Sequence, residues 1–186
     1  MIREAIISDA EPIAKELWNT WHHLKTQQVA SPLHAYASRD VLCDEIRSNL
    51  RSWLVCEAGL QHAGFFAVSP LGSEKTFRKW RFPERLVQIE HFPSLFSGEV
   101  LVRHFQLLAS HLPEASILLC VASTLREAYW AALKAGFRLL GESQLLVGTF
   151  AWLYLDRESR FYEIQSKLRR ALFENNEPDL CIHGQT

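Results

Sequence analysis

The stretch Ser116–Phe137, SILLCVASTLREAYWAALKAGF, decides the fold. Its opening residues, Ile117-Leu118-Leu119-Cys120-Val121, are apolar without alternation, the pattern of a strand covered on both faces. Ser123 and Thr124 follow as capping residues, and Glu127 stands three positions after Thr124 in capping-box spacing. Ala128, Ala132 and Ala135 keep one face of the ensuing helix small. Gly136 sits where a helix closes through a left-handed residue, and Phe137 opens a new apolar run. Strand, small-faced helix, glycine stop and strand make one α/β unit.

Towards the N-terminus, a first strand is expected over Ile2–Ile7. Ser8-Asp9-Ala10-Glu11 has capping-box form, ahead of a helix with Ile13, Leu17, Trp21 and Leu24 on one face. A second helix is expected after Ser38, carrying Val41, Leu42, Ile46 and Leu50. Trp53–Ala58 and Gly64–Ser69 read as a hairpin. Pro70–Pro83 has no apolar periodicity and reads as an irregular connection. Arg85–Phe92 reads as the fourth strand, and Glu99–Leu112 as a helix stopped by Pro113. Two further strands are expected at Phe137–Gly141 and Leu145–Leu155. The sum is a mixed α/β domain over residues 1–156. An added amphipathic helix over 157–173 places Phe161, Ile164, Leu168 and Leu172 on its apolar face, and residues 174–186 form a loose polar tail. That apolar face needs a cover, either the chain's own sheet or a second subunit. A homodimer is the expectation.

Composition narrows the function. With 48% apolar residues in 186, the chain can bury one substantial core. Its 20 Lys+Arg balance 21 Asp+Glu and form no basic stripe, which argues against nucleic acid as a partner. Cys43, Cys56, Cys120 and Cys181 have no CxxC or zinc spacing, so free thiols in a reducing compartment are expected. The N-terminus lacks the apolar core of a signal peptide, and no run approaches the ~20 residues of a membrane span. A cytoplasmic protein without membrane contact is expected. His22 and His23 point about 100° apart on a helix and are poorly placed to share an ion. No metal site is expected.

Three pieces taken in order, IREAIISDAEPIAKEL, WLVCEAGLQHAGFFAVSP and the Ser116–Phe137 unit, resemble the GCN5-related N-acetyltransferase (GNAT) superfamily over Ile2–Asp156. The resemblance implies a mixed, mostly antiparallel sheet that splays between its fourth and fifth strands, with helices on both faces. It implies transfer of an acetyl group from acetyl-CoA to a primary amine on a small molecule or a protein. The family's cofactor loop, [Gln/Arg]-x-x-Gly-x-[Gly/Ala], lies between the fourth strand and the next helix. Here that stretch is Pro93–Arg103, PSLFSGEVLVR. Gly98 matches the first glycine, Leu95 stands where Gln or Arg is usual, and Val100 where Gly or Ala is usual. Val102 takes the place of a later glycine. By the resemblance, the backbone N–H groups of Gly98, Glu99, Val100, Leu101, Val102 and Arg103 hold the pyrophosphate. Branched Val100 and Val102 add bulk beside it, Glu99 adds negative charge, and Arg103 offsets part of that charge.

The same resemblance directs attention to a base on the fourth strand. Strand alternation puts Gln88 and Glu90 on one face and Ile89 and His91 on the other. Glu90 is the first choice for the base and His91 the second. The family's proton-donating Tyr falls at Ala132 here; Tyr129, one turn earlier, is either the acid or a packed aromatic. Lys75, Arg78, Lys79, Arg81 and Arg85 form a basic run beside the loop, which either meets the 3′-phosphate of coenzyme A or is a solvated loop. Two functions stay open: an acetyl-CoA-dependent N-acyltransferase, and a degenerate GNAT-like binding or assembly module that no longer uses acetyl-CoA. No motif selects an acceptor.

Overall fold

The computed structural model describes residues 1–27, 29, 33–48, 51–58, 61–71, 86–93, 95–145, 148–156 and 166–171. Its elements are β1 (Ile2–Glu4), a 3₁₀ turn (Ile7–Asp9), α1 (Ala10–Thr26), α2 (Leu33–Tyr36), α3 (Arg39–Ser48), β2 (Ser52–Ala58) and β3 (Gln61–Pro70). There follow β4 (Leu86–His91), α4 (Gly98–His111), β5 (Ser116–Ala122), α5 (Arg126–Lys134), β6 (Arg138–Leu145) and β7 (Gly148–Leu155). Among the described residues seven strands make one sheet in the order β1-β2-β3-β4-β5-β7-β6. Of these strands only β4 and β5 run parallel, and α4 is the crossover between them.

Both faces of the sheet are covered. On one face, Leu101, Phe105 and Leu108 of α4 and Ala128, Ala131 and Ala132 of α5 pack on Phe66, Ile89, Leu119 and Leu153. Each large apolar side chain buried this way stabilises by about 1.5–3 kcal/mol. On the other face, Ile13 and Leu17 of α1 and Leu42 of α3 pack on Trp53, Val55 and Phe65. Further along that face, Leu168 and Ala171, from the helical residues 166–171, are fully buried with Leu71, Leu118, Trp152 and Tyr154. The chain's own sheet therefore covers Leu168. Phe161, Ile164 and Leu172 lie outside the described residues, as does the basic run within 72–85.

β5 matches the non-alternating run: Ile117, Leu118 and Leu119 are fully buried. Gly136 closes α5 with a φ of 101°, a conformation that costs a glycine little. Two local expectations fail. Leu125 rather than Thr124 is the N-cap of α5, with no side-chain capping bond. Asp9 likewise makes no capping bond to α1. Its carboxylate accepts the Ile6 N–H at 2.8 Å and both terminal nitrogens of Arg3 at 2.7 and 3.0 Å, while Arg3 Nε donates to Glu57 at 2.6 Å. The first strand is correspondingly short. At the other end, Leu145 belongs to β6, since the β6–β7 hairpin turns between Leu145 and Gly148.

Cys43 and Cys56 are buried and Cys120 is half-buried, none of the three in a disulfide, and burial pushes the Cys56 thiol up to about 11. No helix among the described residues is long and apolar enough to cross a membrane.

Candidate active site

The parallel pairing of β4 and β5 runs only from Leu86↔Ser116 to Ile89↔Leu119. Beyond it the strands part: β5 continues against β7 as far as Ala122↔Phe150, while β4 stays with β3. The opening begins at Glu90. At the same place the register between β3 and β4 slips, so that Ala67 pairs with His91 and Val68 with Ile89. Glu90 is the extra residue of a β-bulge, a device that re-aims side chains.

That bulge overturns the alternation expected for this strand. Glu90 and His91 are sequence neighbours, yet both meet the guanidinium of Arg51, the residue just before β2. Arg51 Nη1 donates to Glu90 Oε2 and lies 3.4 Å from His91 Nε2. The other Glu90 oxygen accepts from Ser69 Oγ of β3. Arg51 Nε is 2.8 Å from Glu45 Oε2 of α3, but neither atom has a hydrogen-bond partner, so this contact is charge attraction without alignment. Tyr36 of α2 lies under the guanidinium at 5.0 Å. His91 is wedged between Tyr36, at 4.9 Å, and Trp53 of β2, at 5.9 Å.

The electrostatics follow from burial. The side chains of Arg51, Glu45 and Glu90 are only 16–17% exposed. Burial opposes the charge on Arg51, but Glu90, Tyr36 and Glu45 outweigh it and raise its pKa. Burial first, and the Arg51 charge second, push His91 down to about 3, so its imidazole is neutral near pH 7. Its Nδ1 has no partner among the described residues. Arg51, Glu45, Tyr36 and Trp53 carry no local sequence signal for this role, because each comes from a different element.

The second half of the site is the start of α4. Ser97 is extended at the N-cap, and Leu101 N–H bonds Ser97 C=O at 3.0 Å, closing the first turn. The N–H groups of Gly98, Glu99 and Val100 thus precede the helical ladder, where an anion is favoured. Those of Leu101, Val102 and Arg103 fall within it, which narrows the expected backbone cradle. Leu101 is fully buried in the core, Val102 packs beside it, and Arg103 is exposed. Gly98 N–H donates to Glu127 Oε2 of α5 at 3.1 Å. Tyr129 is half-buried against the core with its ring edge-on to Trp130 at 5.4 Å, and Ala132 is fully buried.

No protein-family model matches this sequence, and no curated protein matches it at significance. Its fold has known counterparts. Aminoglycoside acetyltransferase AAC(6')-Ib, in complex with ribostamycin and coenzyme A, superposes with a TM-score of 0.66 at 15% identity, covering 86% of this chain and 97% of that one. The chain has the fold of the GNAT acetyltransferases. The ribosomal-protein-S5-alanine acetyltransferase of Vibrio fischeri matches at a TM-score of 0.59 and 14% identity, over 85% of this chain and 93% of its own. YncA of Salmonella typhimurium, a putative acetyltransferase with its cofactor acetyl-CoA, matches at 0.60 and 14%, over 86% and 95%. At these identities the likeness is one of fold, and the GNAT fold's splay is the feature seen between β4 and β5.

Proposed function

We propose that this GNAT-fold chain is an N-acyltransferase that moves an acetyl group from acetyl-CoA to the primary amine of an acceptor. The observation that carries the reading is the parting of β4 and β5 after Ile89 and Leu119, with the bulge residue Glu90 at the opening. Backbone groups that face each other there without a strand partner favour an extended ligand between them. The Gly98–Val100 N–H groups fit a pyrophosphate at the start of α4, and Arg103 adds positive charge one turn on. When bound, acetyl-CoA supplies the acyl group as a thioester.

The chain's own residues then have separate tasks. Glu90 takes the proton that the acceptor ammonium must lose before its nitrogen can form an amide. Arg51 and Ser69 hold that carboxylate by one oxygen each and leave a lone pair free on each. His91, the second candidate, is a poor acceptor for this proton, because burial and the Arg51 charge hold its pKa down to about 3. Tyr129 is the candidate for returning a proton to the departing sulfur. The structural neighbours bound to aminoglycosides support a small-molecule amine as the acceptor class.

A second reading, a GNAT-like binding or assembly module that no longer uses acetyl-CoA, is favoured by one observation. The foremost N–H of α4 is already taken by Glu127. Calorimetric titration with acetyl-CoA and with free coenzyme A separates the two. Saturable binding of both is the expected outcome, and a folded protein giving no heat with either is left with the module reading.

A further inference from the structure

We infer that Glu127 sets how strongly the start of α4 takes a phosphate: its carboxylate is an internal occupant that a diphosphate ester must displace. The ligand's identity rests on the acyl-CoA reading above. Glu127 is the second residue of α5 and is exposed. Instead of turning back towards Thr124, it reaches across to α4 and accepts the Gly98 N–H at 3.1 Å. Gly98 makes room for it, since a Cβ there would stand 2.5 Å from Glu127 Oε2.

A phosphate oxygen at this helix start needs the same donor and carries the same sign of charge, so the two anions exclude each other. The surroundings point to a nucleotide-like ligand independently of the helix end. Ser97, Gly98, Glu99, Glu127, Trp130 and Lys134 line one cavity of about 290 Å³. It therefore presents a cation and an indole that is 58% exposed, the pairing that suits a phosphate joined to a planar base. With Glu127 in place, Glu99 and Glu127 outnumber Lys134; with it withdrawn, the lining charges balance. The carboxylate is the tip of a flexible exposed side chain, so displacement needs no backbone movement.

The test is titration of the full chain, wild type, Glu127→Gln and Glu127→Ala, with coenzyme A and with inorganic pyrophosphate at low salt, each fold checked by circular dichroism. Glu127→Ala is expected to bind both about tenfold more tightly than wild type, and Glu127→Gln to fall between. Coenzyme A bound by wild type as tightly as by both variants overturns the role of Glu127 and leaves the acyltransferase reading standing. Pyrophosphate gained by Glu127→Ala, with coenzyme A bound by no form, keeps Glu127 as the occupant and removes the acyltransferase reading. No binding of either probe by any form overturns both.

Discussion

Two arginines in this molecule each hold two carboxylates, and they do so in opposite ways. Arg3, at the outer edge of the sheet, forks onto Asp9 and reaches Glu57 through Nε. These bonds raise its pKa, the Asp9 bond foremost and Glu57 second. Asp9 is also fixed by a backbone donor, the Ile6 N–H. Arg51, where β4 and β5 part, serves Glu90 and Glu45, but the other bond to Glu90 comes from a side chain, Ser69 Oγ. A carboxylate tied to the backbone is part of the scaffold. One held only by side-chain donors is steered by them and stays available for chemistry. The same inventory of charges is thus architecture at the edge of the sheet and a tunable group at its middle.

The largest contrast is expected from removing each arginine. Arg51→Met leaves Glu90 and Glu45 without their cation at sites where each keeps little solvent. Breaking such a buried pair costs about 3 kcal/mol or more. Arg3 is 33% exposed, and Asp9 retains its backbone bond, so Arg3→Met is expected to cost about 1–2 kcal/mol. Urea denaturation of both variants measures the difference. Equal losses would mean that both networks are scaffold and would remove the distinction.

The comparison also shows what could be read along the chain and what could not. β5, α5 and the Gly136 stop were legible because their signals are local: a non-alternating apolar run, a small helix face and a glycine that adopts positive φ. Glu90 and His91 were picked out as a pair of alternatives on opposite faces. The bulge that brings both to Arg51 depends on how β3 pairs with β4, which no pattern within Arg85–Phe92 encodes. Glu127 failed as a capping residue for a related reason. The Gly98 N–H, 29 positions away along the chain, outcompeted its local partner Thr124. Arg51 escaped notice because it stands at the foot of β2, and its partners come from α2, α3 and β4.

Acid sensitivity sharpens the contrast, because only the Arg51 network contains a buried imidazole. His91 is depressed from 6.5 to about 3. Between those values the unfolded chain binds a proton that the folded chain refuses. Stability therefore rises with pH through this window and is lost as pH falls below 6.5. The expected loss is about 1.3 kcal/mol in all between pH 7 and 5.5, where carboxylates stay largely ionised, steepening towards about 1.4 kcal/mol per pH unit at the lower end. Arg51 and Tyr36 face the ring; a His91→Phe variant keeps its packing between Tyr36 and Trp53 while removing the titration. That variant should flatten the slope, whereas Arg3→Met should leave it intact. An unchanged slope in His91→Phe would place the acid-sensitive group elsewhere.

The smallest effect concerns Ser69, whose hydroxyl is the second donor to Glu90. Ser69→Ala removes one charge-assisted bond from a carboxylate that keeps Arg51, with an expected cost of about 1–2 kcal/mol. The informative quantity is its coupling to Arg51. If both donors steer one carboxylate, the loss in the double variant Ser69→Ala/Arg51→Met should differ from the sum of the single losses by more than about 0.5 kcal/mol. Paired with Arg3→Met, at the β1 edge and with no partner in common, Ser69→Ala should add within that margin. Additivity in both combinations would show that Ser69 and Arg51 do not act on a common group, and Glu90 would then lose its standing as a side-chain-steered base at the opening of the sheet.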